Sequence, residues 1–323
     1  MTDFVHIALA SNRRYLPGLR ATVVSLIRAA SEPARLRFHI FSDGLTVDDR
    51  SSLQELVARF GYRDTLDYRE PDMAPIEKAF KAYNGSYTAF LRLFFPEMLT
   101  DIDWVLWTDV DVLWFRDPIK FWEERDDSVS IVWSPDIPST KKAAQEQFKR
   151  WRPEACLSRY ACSGVMLMNL ARMRKSSFVS QAIAFVSRWG SPLFADQDVF
   201  NELCYDDAKL VDPRWDLLYP IDALGSDVVI HFNGIGPKFN DQRFTGWMPL
   251  YEIWFRFVAQ VVNGRRGEPV CGFVKRTYFF CLSLIYPFHR LIAVLTDPIH
   301  PWVSDFIQRN LLFAMLRRKD LWR

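Results

Sequence analysis

The chain has 323 residues, 49% of them hydrophobic, enough for one large domain with an appendage or for two small domains. Its 41 Lys and Arg nearly balance 39 Asp and Glu, so the net charge points to no partner by itself. Five cysteines, an odd number with no C-x-x-C spacing, argue against a disulfide framework or a zinc knuckle and suit a reducing compartment.

The N-terminus, MTDFVHIALAS, has no basic segment ahead of a long apolar core, so no secretory signal is read there. Residues 5–10 are short and apolar and predict a buried strand. Pro17 then opens a segment with Leu19, Val23, Leu26 and Ile27 at helical spacing. A second strand is predicted over 35–42, an amphipathic helix over 47–60, and a short strand over 65–68. Residues 86–99 read as a helix and 104–108 as a strand. Further strands are predicted over 129–133 and 164–168, and a helix over 178–189. Strand and helix in alternation predict an α/β fold with a mostly parallel sheet flanked by helices. His6 and His39 fall in strand-like runs and read as ordinary, partly buried histidines. Trp104, Trp107 and Trp114 read as core, and Cys162 as a small buried side chain.

The strand over 104–108 runs straight into Asp109 and Asp111. In open sheets of this kind ligands bind at the carboxyl ends of strands. Burying an ionised carboxylate without a partner is costly, and a divalent cation offsets that cost. Magnesium and manganese prefer oxygen ligands, commonly shared with substrate phosphates. A D-x-D after a strand is therefore a seat for a metal-bound diphosphate, or else a turn with solvated aspartates. Three other stretches carry chemistry. Arg92 stands alone in an apolar segment, where a buried acid such as Asp109 is a natural partner. Asp196, Gln197 and Asp198 cluster in FADQDVFNEL. His231 ends a strand in VVIHFNGIGPKF, ahead of Gly234 and Lys238.

Together these motifs, in this order from Val5 to Lys238, resemble glycosyltransferase family 8, retaining enzymes of the GT-A (Rossmann-like) fold that use a UDP-sugar and manganese. The resemblance implies that Asp109, Asp111 and His231 hold manganese, with magnesium as the alternative. It implies that Arg92, Asp109, Asp196 and Gln197 contact the donor sugar, with Asp196 and Gln197 nearest the anomeric carbon. Ala10, Asn12 and Tyr15, in ALASNRRY, would contact the nucleotide, and Gly234 and Lys238 the diphosphate. This sequence departs from the family at three places. Asn12 stands where Asp is frequent, Cys162 replaces the Asn of an N-x-G triplet, and Pro237 precedes Lys238 with a one-residue shift. No residue is an evident nucleophile, so the resemblance implies attack from the leaving-group face. The charged stretch 140–154 is a helix or loop that can fold over the donor as a lid in this family.

The predicted division is a GT-A catalytic domain over 1–250 and a helical, basic and apolar C-terminal region over 251–323. From Gly264 onward ten Lys and Arg face four acids, an excess of six. Residues 277–296 are long enough to span a bilayer, but Arg290 near the middle disfavours that. Interfacial helices on an anionic membrane surface are expected instead, with packing on the catalytic domain as the alternative. Apolar residues dominate between the charges, which sets nucleic acid aside. The sequence thus predicts a hexosyltransferase, cytoplasmic and peripheral at the inner face of the cell membrane. It would move glucose or galactose from a UDP-hexose to a lipopolysaccharide-type, lipid-linked or other glycan acceptor. The alternative is a membrane-associated nucleotide-sugar-binding protein without transfer activity.

Overall fold

The computed structural model describes residues 3–83, 85–217 and 227–232. Nearly all of them belong to one compact unit, made of residues 1–218 and 227–231. The expected boundary at 250/251, the helical tail and its membrane-facing segments lie outside the described residues. No helix among the described residues is long and apolar enough to cross a membrane.

The strand β1 (Val5–Asn12) is buried along almost its whole length. It ends in a 3-10 turn, Arg13–Tyr15, capped by the Asn12 side chain, which accepts from the Tyr15 N–H at 3.2 Å. The helix α1 (Leu16–Ala29) follows with Pro in its first turn. Then come β2 (Leu36–Asp43), α2 (Val47–Arg59) and β3 (Asp67–Arg69). A capping box of Thr46 and Asp49 starts α2. After α3 (Ala74–Ala79), residues Thr88–Phe94 form a 3-10 segment that leads into a short α4 (Phe95–Met98). A continuous helix was expected here. Pro96, in the first turn of α4, has no N–H to give to an upstream carbonyl, so an unbroken α-helical ladder cannot pass through it.

The strand β4 (Trp104–Thr108) is wholly buried, and β5 (Val112–Trp114) follows it after the aspartates. The remaining elements are α5 (Pro118–Trp122), β6 (Ile131–Pro135), α6 (Pro138–Trp151), β7 (Ala161–Asn169), α7 (Leu170–Lys175), α8 (Phe178–Trp189), α9 (Ala195–Leu203), β8 (Ala208–Leu210) and β9 (Val229–His231). Seven strands form one sheet in the order β3-β2-β1-β4-β7-β6-β8. Strand β1 is parallel to β2 and β4, β2 to β3, and β6 to β8, while β7 runs antiparallel between β4 and β6. This is the mostly parallel sheet, flanked by helices, that the alternation predicts. One large core lies on it, with Phe95, Trp107, Met166, Met168, Phe178 and Phe200 among its members.

The topology fixes where a site can form. Parallel β1 and β4 end at the same sheet edge. Antiparallel β7 begins there, with Val165 opposite Thr108. Just beyond that edge β5 and β9 make a separate two-stranded ladder. Helix α1 supports it: the Thr22 hydroxyl donates to the Val112 carbonyl at 2.9 Å, and the Trp114 N–H donates to Ser25 Oγ at 3.0 Å. The charged stretch over 140–154 is mostly α6. It is tied down on α9 by Gln147 Nε2, which donates to Asp198 Oδ2 at 3.0 Å.

Candidate active site

Asp109 leaves β4 with its N–H donating to the Gly164 carbonyl at 2.8 Å, so the chain turns over the start of β7. A quarter of the Asp109 side chain is exposed, while Asp111 is buried. Val112 then enters the small ladder directly opposite His231. This register places an imidazole beside the aspartates across a gap of more than a hundred residues. His231 Nε2 lies 3.4 Å from Asp111 Oδ1 and 3.6 Å from Asp109 Oδ2.

The other ring nitrogen is also occupied. His231 Nδ1 lies 3.0 Å from Asp216 Oδ1, and Asp216 Oδ2 accepts from the Val165 N–H at 3.2 Å. Asp216 thereby holds the ring by one nitrogen and leaves the other facing Asp109 and Asp111, the usual outer-shell support of a histidine ligand. Burial alone would push the imidazole pKa down, but Asp216 and Asp111 outweigh it and hold it well above the ordinary value. The ring fits because Gly164 has no side chain. A Cβ there would collide with the imidazole.

Arg92 is the second hub. It is buried, with its guanidinium 4.6 Å from the centre of the Trp107 ring. Its Nη1 lies 3.0 Å from Asp109 Oδ1 and donates to the Ser163 carbonyl at 2.6 Å. Its Nε lies 2.8 Å from Asp196 Oδ2, an ion pair whose alignment falls short of a hydrogen bond, since that oxygen has no hydrogen-bond partner. Burial pushes the Asp196 carboxyl up to about 7. Arg92 pulls it down, and nearby Asp109 pushes the same way as burial.

Helix α9 starts with Ala195 at φ 50°, a strained conformation for a residue other than glycine, immediately before Asp196. Gln197 is clamped at both ends of its amide. Its Oε1 accepts from the Ser163 N–H at 3.2 Å, and its Nε2 donates to Asp136 Oδ2 at 2.8 Å. Burial raises the Asp136 carboxyl to about 6. Asp198 instead serves the fold, accepting from the Tyr160 hydroxyl at 2.6 Å and the Phe194 N–H at 2.8 Å.

The structure thus brings Arg92, Asp109, Asp111, Asp196, Gln197 and His231 together. Ala10 and Asn12 lie at the end of β1 and Tyr15 in the turn that follows it, and Asn12 spends its amide oxygen on the cap described above. Gly234 and Lys238 lie outside the described residues. Asp216, Asp136 and the Ser163 backbone are participants that the sequence reading missed. Asp216 sits in DPRWDLL, which has neither periodicity nor a motif to mark it. Gly164, alone inside a buried strand, carries the one usable signal, since such a glycine marks a close approach. Ligand atoms of Asp109, Asp111 and His231 all lie within 4.8 Å of one another, as do those of Cys162, Asp216 and His231.

The family model described as "Glycosyl transferase family 8" matches residues 6–239, well over half of the chain. General stress protein A of Bacillus subtilis (strain 168) is 22% identical over 290 residues, which is 83% of this chain and 97% of that protein. Glucoside xylosyltransferase 1 of Gallus gallus is 27% identical over 218 residues, 62% of this chain and 48% of that protein, so the chain spans about half the length of that relative. The crystal structure of the galactosyltransferase LgtC with donor and acceptor sugar analogues has a TM-score of 0.65 at 19% identity, over 82% of this chain and 98% of LgtC. That likeness shows the fold.

Two outcomes follow from the geometry. Asp136 and Asp196 titrate near 6 and 7 when folded, against an ordinary value of 3.8. The folded state therefore holds protons that the unfolded chain releases at lower pH, and the stability this provides is lost as pH rises through those values. His231, also raised, acts in the same direction at higher pH. In EDTA the difference in melting temperature between the wild type and Asp196→Asn should shift against the wild type as pH rises from about 4 to about 7, while His6, held down to about 4, contributes equally to both proteins. An unchanged difference would contradict the assignment. If Asp109, Asp111 and His231 hold a divalent cation, Gly164→Ala should weaken its binding by roughly 10–100-fold in calorimetric titration, because it displaces the His231 ring. Unaltered affinity would show that the ring does not need that space.

Proposed function

The chain belongs to glycosyl transferase family 8, and from that premise we propose that it transfers a hexose, glucose or galactose, from a UDP-sugar to a lipopolysaccharide-type or other glycan acceptor, with retention of configuration. The observation that carries this reading is the convergence of Asp109, Asp111 and His231 Nε2 on one point, with Asp216 fixing the imidazole from behind.

Two carboxylates and a supported imidazole nitrogen suit manganese, and magnesium less well because it favours an all-oxygen shell. In this reading Asp109, Asp111 and His231 hold the ion. When bound, the ion supplies Lewis-acid stabilisation of the negative charge that develops on the departing diphosphate. Arg92, Asp196 and Gln197 orient the donor sugar. Arg92 pairs with Asp196 and Gln197 is held by Ser163 and Asp136, so these side chains are fixed before substrate arrives and little reorganisation is left for the reaction step. Ala10, Asn12 and Tyr15 take the nucleotide from the neighbouring strand end, and Gly234 and Lys238 the diphosphate.

The carboxylates and the amide at the site are all engaged. Asp109 and Asp196 pair with Arg92, and Gln197 is bound at both ends. None is positioned as a free nucleophile, which supports attack from the face the diphosphate leaves, with the departing phosphate taking the acceptor's proton. The basic, apolar sequence after Gly264 supports a peripheral position on the cytoplasmic face of a membrane, where a lipid-linked acceptor would be met.

A screen of UDP-sugars, scored by UDP release with manganese and with EDTA, tests the reading. Release should require a UDP-hexose and the metal, and Asp111→Asn should lower it by about 100-fold or more. Donor and metal binding without turnover, across a range of acceptors, would favour a binding protein that does not transfer sugar. Undiminished turnover by Asp111→Asn would refute the metal assignment.

A further inference from the structure

The side of His231 that faces away from the aspartate pair meets a sulfur atom. Cys162 is the second residue of β7, almost fully buried, with Sγ 3.8 Å from His231 Nδ1. Asp216 Oδ1 lies 3.0 Å from the same nitrogen. The three donor atoms lie within 4.8 Å of one another, and Asp216 is already held by the Val165 N–H. In tetrahedral zinc sites the metal lies about 2.3 Å from sulfur and about 2.0–2.2 Å from nitrogen and carboxylate oxygen. Those lengths put sulfur and nitrogen about 3.6 Å apart, and nitrogen and oxygen about 3.4 Å apart. Those two separations, 3.8 and 3.0 Å, differ from these lengths by a few tenths of an ångström, and sulfur and oxygen lie within 4.8 Å of each other.

We propose that Cys162, Asp216 and His231 Nδ1 form a second metal site, built for a thiophilic divalent cation such as zinc. Its chemistry differs from that of the aspartate pair. A thiolate selects zinc or cadmium, whereas two carboxylates and an imidazole suit the harder manganese. Binding sends the Cys162 thiol proton and the Nδ1 proton to solvent, and the three ligands leave a fourth position for water. Asp216 orients the ring with or without a cation; what points to a second site is a buried sulfur that approaches the same nitrogen from beside that carboxylate. A cation there would take over the nitrogen by which Asp216 orients the ring, so the two metal sites compete for one histidine. That competition rests on the role proposed above for His231; the site itself does not.

Cobalt(II) added to the full-length, metal-free protein reads the sulfur directly, because only a thiolate ligand gives a sulfur-to-cobalt charge-transfer band. The wild-type chain should show the band, saturating near one equivalent. Cys162→Ser should lose it, and Cys156→Ser, which alters the exposed thiol, should keep it. No band in the wild type, or one that survives Cys162→Ser unchanged, would overturn the proposal. Should Cys162→Ser fail to fold, zinc-edge X-ray absorption of the zinc-loaded Cys156→Ser protein decides: one sulfur at about 2.3 Å supports the site, and a shell of nitrogen and oxygen alone overturns it. Neither readout involves sugar transfer, so failure of the transferase reading would leave this result interpretable.

Discussion

A single imidazole buried among carboxylates organises this molecule. His231 can face Asp109 and Asp111 only if three conditions hold together. The small ladder must set Val112 opposite it, Asp216 must hold its far nitrogen, and Gly164 must leave room for the ring. Each condition comes from a different part of the chain. The sheet supplies the frame, because β4 and β7 meet at the edge where Asp109 and Gly164 share a backbone hydrogen bond. Helix α1 supplies the brace, through the hydroxyls of Thr22 and Ser25 on β5. Packing of the core thus becomes placement of a donor atom.

Arg92 extends the same logic across the site. One guanidinium reaches Asp109 on the strand side, Asp196 at the start of α9, and the Ser163 carbonyl on β7. A buried arginine in such a position is expensive unless its charge is matched, and here it is matched by acids that also belong to the site. Removing either acid would leave the buried guanidinium with a single carboxyl partner. Stability and the geometry of the site therefore depend on the same contacts, and the raised carboxyls of Asp136 and Asp196 are joined through Gln197, the Ser163 backbone and Arg92.

Much of this was legible in the sequence where a strong local pattern met a strong local rule. The buried strands follow from apolar runs and helix α2 from its amphipathic spacing, and the aspartate pair was recognisable because it breaks an apolar strand. The β5 strand was missed because three residues carry no period, and its partner β9 is supplied from more than a hundred positions away. Helix α9 was seen as a cluster of polar residues, since Asp196, Gln197, Asp198 and Asn201 are all buried and hide its amphipathic pattern. Asp216 was invisible for a related reason: its role is to touch one nitrogen of a distant ring, and nothing in its own neighbourhood encodes that. Local propensity reports elements, whereas a site assembled by register is written only in three dimensions.

In the proposed reading, Asp109, Asp111 and His231 Nε2 form one seat for a divalent ion beside a bound sugar nucleotide. Anomalous diffraction from a crystal grown with manganese and UDP tests it most directly. The expected result is a manganese peak bonded to both carboxylates and to His231 Nε2, with Nδ1 still on Asp216 and diphosphate oxygens nearby. A peak elsewhere, or His231 turned away from the aspartates with UDP in place, would contradict it.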